Sequence, residues 1–379
     1  MKKSITPNQI KESNRNLIYQ YIYKNPGVSQ LDITYHLHLS RPTVTTNLSS
    51  LEEDGLIEKS GQIDTEYVGR KASAYSIVSD YRVGIGVEIL KNEVKINAVN
   101  LYGQKIERLT FSISYENTDV YYHEVSNRIL EFKDSLHIKE EQLLGIGFAM
   151  QALVSPDHRT IIYGKILSCT GLTIDAFTKY LPYPCSFIHD ADSAAISELW
   201  VSPELSDAFY LSLSKHLGAS IISKGKLLEG KHGHSSTIEH IQMEKDGKLC
   251  YCGKHGCMET LCSLSALLGE ESLDEFFKKK KNGDKEAEKR WNSYLAELAR
   301  AINMLHLIYD TDFILGGYIT PYLTKQDIQI LHELINEMTP FEEESDFIQI
   351  SKMPKHNISI GAALPYIQEF LNIHSSRAQ

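Results

Sequence analysis

Apolar residues recur at helical spacing between Asn14 and Lys24, where Leu17, Ile18, Tyr21 and Ile22 share a face, and Pro26-Gly27 stops the pattern. This predicts a first helix. Ser29 followed by Asp32 has the form of a capping box, opening a short second helix with Leu31, Ile33 and Leu37 as its apolar face. Ser40 is placed to cap a third helix, and Pro42 falls in its first turn, where a missing N–H breaks no hydrogen bond. Val44, Leu48 and Leu51 would point inward there, leaving Arg41, Thr43, Thr45, Thr46, Asn47 and Ser50 turned outward. Two alternating runs, 57–63 and 74–78, then pair as a hairpin whose connection carries Val68-Gly69-Arg70-Lys71. Three helices and a hairpin make a winged helix-turn-helix. Short hydroxyl and amide side chains suit the donor and acceptor edges of a DNA major groove, and Arg70 and Lys71 at the wing tip suit phosphates or a minor groove. A solvated polar helix and a basic turn are the competing reading of the same residues.

From Tyr81 the texture changes. VGIGVEIL, EVKINAVNLYGQKI and LLGIGFAM read as strands around a helix at 121–132, and CSFIHDADSAAISELW is a strand running into a helix with His189-Asp190 at the junction. Further strands lie in AFYLSLSKHLGASIISKGKLLEG, followed by helices at 273–281 and 285–309, strand FIL and the turn Gly316-Gly317. Alternation of this kind marks an α/β body. A length of 379 residues calls for two or three domains, and 42% hydrophobic with 23% charged residues is the make-up of a soluble globular protein. No stretch reaches the length of a membrane span and the first residues lack a leader's apolar run, so a cytoplasmic protein with no membrane partner is expected. The net charge of −10 is unevenly placed: residues 1–80 hold nine Lys/Arg and nine Asp/Glu, so the deficit lies entirely in the body. A neutral head on an acidic body fits a protein whose head alone meets a polyanion.

One segment carries metal chemistry. His240, Cys250, Cys252 and Cys257 supply three thiolates and an imidazole, a complete tetrahedral shell for one structural zinc per chain with no position left for a reactive water. Gly247, Gly253 and Gly256 allow the tight reversals that such close ligands need. Cys169, Cys185 and Cys262 are expected to pack in the core.

These residues resemble the ROK family of repressors, open reading frames and sugar kinases, and in particular its repressors with an N-terminal winged helix. His240, Cys250, Cys252, Gly253, Gly256, Cys257 and Glu259 are similar to the family's GH…CxCGxxGCxE signature. LSRPTVTTNLSSLEEDGLI and VGRKASAYSI resemble its recognition helix and wing, and HDAD its NDAN. The resemblance implies a two-lobed, actin-like (ribonuclease H-like) sugar-kinase fold behind the winged helix, dimer formation, and a sugar site in the cleft. The implied division is 1–79 for the head, 80–198 for the first lobe and 199–379 for the second, with the C-terminal helix packing back on the first. By the same resemblance Asp190 stands at the catalytic-base position and His189, Asp192, Thr237, His240 and Glu259 at sugar-contacting ones, although Thr237 replaces the glutamate of GExGH and Gln151-Ala152 a Pro-Gly loop. Asp190 as a helix N-cap is the alternative.

Two departures change the expected function. The kinases' DxGGT phosphate loop corresponds here to Glu88-Ile89-Leu90-Lys91-Asn92, and their GTG loop to Ser214-Lys215-His216. A cradle of backbone N–H groups needs glycine for close approach to phosphate, and Leu90 and Lys91 fill that space. The expectation is therefore no enzyme but a sugar-responsive DNA-binding regulator, most simply a homodimeric repressor on a palindromic double-stranded operator. A sugar kinase that kept its DNA-binding head and a regulator that has lost its small molecule are the alternatives.

Overall fold

The computed structural model describes residues 6–63, 72–341, 347–353 and 357–376. Its head consists of α1 (Pro7–Lys24), β1 (Val28–Ser29), α2 (Gln30–His36), α3 (Arg41–Glu53), β2 (Ile57–Ile63) and β3 (Ala72–Ile77), with the strands ordered β1-β3-β2. The capping signals act as predicted: Ser29 and Asp32 cap α2 reciprocally, and Ser40 Oγ accepts from the Thr43 amide at the start of α3. α1 starts ahead of its predicted position because Thr6 and Gln9 form another reciprocal cap, with Pro7 in the first turn. Two orientations differ from expectation. Leu31 is 68% exposed, leaving Ile33 as the buried anchor of α2. Asn47 is 4% exposed, and its Nδ2 donates to the Thr43 carbonyl at 2.8 Å. It lies three residues after Val44 and four before Leu51, on the apolar stripe itself, so spacing outweighs its polar character. The wing residues Arg70 and Lys71 lie outside the described residues.

The body has two lobes. The first contains β4 (Val83–Ile89), β5 (Glu93–Val99), β6 (Lys105–Ser112), α4 (Asp119–Ser135), β7 (Leu143–Met150), β8 (Leu153–Val154), β9 (Ile161–Tyr163), α5 (Asp175–Thr178), β10 (Cys185–His189) and α6 (Asp190–Val201). The second contains β11 (Ala208–Leu213), β12 (Leu217–Ser223), β13 (Lys226–Leu227), α7 (Glu259–Cys262), α8 (Leu264–Leu268), α9 (Leu273–Lys281), α10 (Lys285–His306), β14 (Asp312–Gly316), α11 (Lys325–Met338), β15 (Ile348–Ile350) and α12 (Asn357–Ser376). The main sheets are ordered β6-β5-β4-β7-β10 and β13-β12-β11-β14-β15. In each, the first three strands are antiparallel and the last two add in parallel on the other side. One topology repeated face to face is the two-lobed architecture of the actin-like fold.

α12 crosses back and binds the parts together. It lies on β4 and β7 at glycines: a β-carbon on Gly86 would overlap the Ser359 carbonyl, and one on Gly147 the Ala362 carbonyl. At its start, Ser193 and Ser197 of α6 donate to the carbonyls of Ile358 and Asn357. Further along, Ile360, Ala363, Leu364, Ile367 and Leu371 share one buried cluster with Ile18, Tyr19 and Ile22 of α1 and with Val99 and Leu101. Gln20 Nε2 adds a 2.7 Å bond to the Leu371 carbonyl. The head is thus packed on the body through a common core.

Candidate functional site

The segment with the candidate metal ligands folds as a knuckle. Leu249 bridges His255, Gln242 bridges Cys257, and Gly256, at φ 67°, passes so near Glu244 that a side chain there would overlap its carbonyl. The ligand atoms of His240, Cys250, Cys252 and Cys257 all lie within 4.8 Å of one another. Cys252 Sγ to Cys257 Sγ is 3.7 Å, and Cys250 Sγ to His240 Nδ1 is 3.8 Å. A tetrahedron with Zn–S spokes of about 2.3 Å has edges of about 3.8 Å, so the donor set and its spacing both fit zinc. Two residues after Cys257, the chain enters α7 with Glu259 as its first residue. The knuckle therefore fixes where that carboxylate stands.

Glu259 is buried and fully engaged: Oε1 meets His216 Nδ1 at 2.8 Å, and Oε2 accepts from the Leu217 amide at 2.7 Å. Across the cleft, His189 caps α6 by backbone alone and Asp190 is the first helical residue, not the N-cap. Asp190 Oδ1 accepts from the Ala191 amide at 2.9 Å and lies 3.2 Å from His189 Nε2. Burial raises the Asp190 pKa, and the neighbouring His189 opposes that rise. Burial also works against the His189 imidazolium, but Asp190, Asp192 and Glu239 outweigh it and hold its pKa above the ordinary value.

Of the residues predicted for a sugar, His189 and Asp190 line a small cleft cavity of ≈ 30 Å³, together with Gln151, Tyr163, Lys165, His216, Glu239 and Tyr251. Glu259 acts behind His216, and His240 stacks edge-on against Tyr163 and Tyr251. Asp192 accepts from Ser220 Oγ at 2.6 Å and faces a neighbouring groove of ≈ 790 Å³. Thr237 is not brought to the cavity; its Oγ1 donates to the His234 carbonyl. His216, Glu239 and Tyr251 were missed as lining residues. In the sequence His216 stands out only as part of an altered phosphate loop, and Glu239 is hidden beside a candidate metal ligand.

The neighbouring part of the cleft holds ≈ 410 Å³ between the lobes, lined by Glu88, Lys95, Ser214, Gly317, Tyr318 and Asn357 among others. Lys95 Nζ donates to the Tyr318 hydroxyl at 2.6 Å, which donates in turn to Glu88 Oε1 at 3.2 Å. Glu88 and Lys95 are themselves 3.7 Å apart. Burial pushes the Glu88 carboxyl up to about 7, against the pull of Lys95. Glu88, at the aspartate position of the kinase motif, is thus held between a cation and a tyrosine hydroxyl at the edge of this space.

On α3, Arg41, Thr45 and Thr46 are exposed, Thr43 and Ser50 half-buried, and Asn47 buried. Exposed Ser49 continues the Arg41–Thr45 row at helical spacing. Gln30 Nε2 donates to Thr45 Oγ1 at 2.5 Å, tying α2 to the outer face of α3.

A winged helix on a duplicated α/β body, with a cysteine–histidine knuckle at its cleft, defines a class of two-part proteins: a nucleic-acid-type head on a kinase-type fold. The ROK family profile matches residues 84–366, and the chain belongs to the ROK family; residues 12–58 match a winged helix-turn-helix DNA-binding profile. The chain is 28% identical over 264 residues to the DNA-binding transcriptional dual regulator NagC of Escherichia coli K12, across 68% of this chain and 64% of that protein. It therefore spans just under two thirds of that relative's length. It is also 21% identical over 396 residues to the xylose repressor of Caldicellulosiruptor bescii, covering 96% of this chain and 97% of that one. Among solved structures, a ROK family transcriptional regulator homologous to E. coli Mlc superposes with a TM-score of 0.74 at 20% identity, over 98% of this chain and 99% of that one. A ROK glucokinase from Streptomyces griseus, in complex with glucose and AMPPNP, gives 0.63 at 18% identity over 76% of this chain and 99% of its own.

Proposed function

We propose that this protein is a transcriptional repressor whose grip on DNA is set by a sugar or sugar derivative in the interlobe cavity. The observation that carries this reading is the shared core between α1 of the head and α12 of the body. A second connection runs through α6, which begins at Asp190 in the cavity and ends near Trp200, whose Nε1 donates to the Tyr102 carbonyl at 2.7 Å. Tyr102 stacks on Tyr23 of α1 at 5.1 Å. A shift of the lobes about a bound sugar therefore reaches the head through two packed helices. An effector moves the DNA equilibrium only by its differential affinity for the two arrangements.

In this reading α3 enters a major groove with Arg41, Thr45, Thr46 and Ser49 outermost, and Arg70 and Lys71 serve the wing. A homodimer on a palindromic operator is the arrangement that the two-fold symmetry of most helix-turn-helix sites supports, and DNA binding of this kind belongs in the cytoplasm. Residues 1–79 act as the head, 80–198 and 199–379 as the lobes. His240, Cys250, Cys252 and Cys257 hold one zinc, whose contribution is to brace the loop that sets Glu259. Phosphoryl transfer is not part of the function, because Leu90 and Lys91 stand where the kinase motif has its loop glycines; among the described residues, no helix is long and apolar enough to cross a membrane.

The test is operator binding titrated with N-acetyl-D-glucosamine, D-xylose and their phosphates, alongside ATP turnover with the same sugars. Release of operator by one sugar without turnover is the expected result. Sugar-dependent turnover at enzymatic rates would overturn the reading in favour of a DNA-binding kinase.

A further inference from the structure

We propose that Thr45 reads a thymine in the major groove through its methyl group and not through its hydroxyl, and that Gln30 is the positioning residue that keeps the hydroxyl turned inward. This rests on the reading of α3 as the helix that enters the groove and adds a base preference to it.

The threonine hydroxyls on the outer face of α3 are already engaged. Thr45 Oγ1 donates to the Arg41 carbonyl at 2.9 Å, and Thr46 Oγ1 donates to the Pro42 carbonyl at 3.0 Å. Both bonds run back onto the preceding turn of the same helix. A hydroxyl has a single proton, so while these bonds stand neither side chain can donate to a purine N7, a guanine O6 or a thymine O4. At Thr45 a lone pair is taken as well, because Gln30 Nε2 donates to Oγ1 at 2.5 Å and reaches the Arg41 carbonyl at 3.5 Å. Gln30 is firmly placed for this. It follows Ser29, which is held by its reciprocal cap with Asp32 and pairs with Ala74 of β3.

What Thr45 offers outward is therefore carbon. Its β-carbon carries a hydroxyl and a methyl, and in a helix one of the three staggered positions is closed to heavy atoms by the preceding turn. With Oγ1 in the position that meets the Arg41 carbonyl, Cγ2 takes the other open one, and the side chain is exposed. The 5-methyl of thymine is the methyl group that a major groove displays, and a threonine methyl is a fitting contact for it. Arg41, one turn earlier on the same exposed row, has the donors that Thr45 lacks.

The experiment uses the full chain to select duplexes from a random DNA library. Each thymine of the selected site is then replaced singly by deoxyuridine, which removes the methyl alone. Fluorescence anisotropy gives the Kd of each duplex for wild type, Thr45→Val, Thr45→Ser and Gln30→Ala. At one thymine or its symmetry mate, uracil should raise the wild-type Kd about fourfold, the effect of leaving one methyl group unburied. Thr45→Val, which keeps the methyl and lacks the hydroxyl, should keep that ratio. Thr45→Ser, which keeps the hydroxyl and lacks the methyl, should bind both duplexes equally, and Gln30→Ala should lower the ratio. Uracil tolerated by wild type at every thymine overturns the proposal, as does a ratio that survives in Thr45→Ser. A ratio lost in Thr45→Val assigns the reading to the hydroxyl and overturns it too. An unchanged ratio in Gln30→Ala removes the positioning role. A library in which no sequence is enriched overturns the DNA-binding reading itself, an outcome separate from all of these.

Discussion

At Asn47 residue type and residue position point in opposite directions. An amide on a recognition helix suggests base reading, yet its place between Val44 and Leu51 buries it, and Nδ2 is already bonded to the Thr43 carbonyl. Asn47→Ala should therefore leave base preference unchanged and shift stability by about 1 kcal/mol or less, the worth of one ordinary hydrogen bond. Arg41→Ala, on the exposed row, should cost about 1–3 kcal/mol of discrimination at one operator position. Competition binding against single-base operator variants separates the two. Glu88 allows a second prediction. Burial raises its pKa from 4.5 to about 7, with Lys95, Tyr318, Asp190 and Glu93 as its charged and hydrogen-bonding neighbours. Between those values the folded state holds a proton that the unfolded state has lost. The carboxyl's contribution is thus full below about pH 4.5 and falls as pH rises to about 7. The difference in unfolding free energy between wild type and Glu88→Gln should decline across that window by at most about 3 kcal/mol and then level off, as denaturant titrations at several pH values would show.

Among the elements, those with local signals were legible and those that depend on distant partners were not. α2 and α3 begin at caps read directly from Ser29 and Ser40, and the cysteine–histidine knuckle was legible because its four candidate ligands lie in one short segment. The rest of the cavity wall was not, since Tyr163, His216, Glu239 and Tyr251 come from separate elements and no spacing rule links them to His189 and Asp190. The knuckle and α6 carry separate predictions. Cys252→Ser should lose zinc and effector response together, because the loop that sets Glu259 loses its brace; elemental analysis paired with operator release checks this. Trp200→Phe keeps the aromatic packing but removes the bond to the Tyr102 carbonyl. It should leave effector Kd nearly unchanged while weakening effector-driven operator release, by some part of the 1–3 kcal/mol (about 5–150-fold) that typical site-to-site coupling carries. Equal release in both proteins would remove α6 from the transmission route.

For the whole molecule the decisive quantity is the room between the lobes. At ≈ 30 Å³ the space between these side chains admits about two or three water molecules, so a sugar seated among them needs the walls to stand further apart. Those walls belong to both lobes, with Gln151, Tyr163, His189 and Asp190 on one side and His216, Glu239 and Tyr251 on the other. The Lys95–Tyr318–Glu88 group bridges the same two lobes in the adjoining part of the cleft and holds them together. Effector and bridge therefore oppose one another, the effector favouring the more open arrangement. Tyr318→Phe removes both hydrogen bonds of the bridge while keeping the ring that packs near Lys95 Nζ. If the two bonds together are worth about 1 kcal/mol net, the variant should respond at about one fifth of the effector concentration that wild type needs. The readout is the midpoint of operator release against N-acetyl-D-glucosamine or D-xylose, whichever acts on wild type. A midpoint that rises in Tyr318→Phe would mean that the effector closes the lobes, and the direction of coupling assigned to the cleft would have to be reversed.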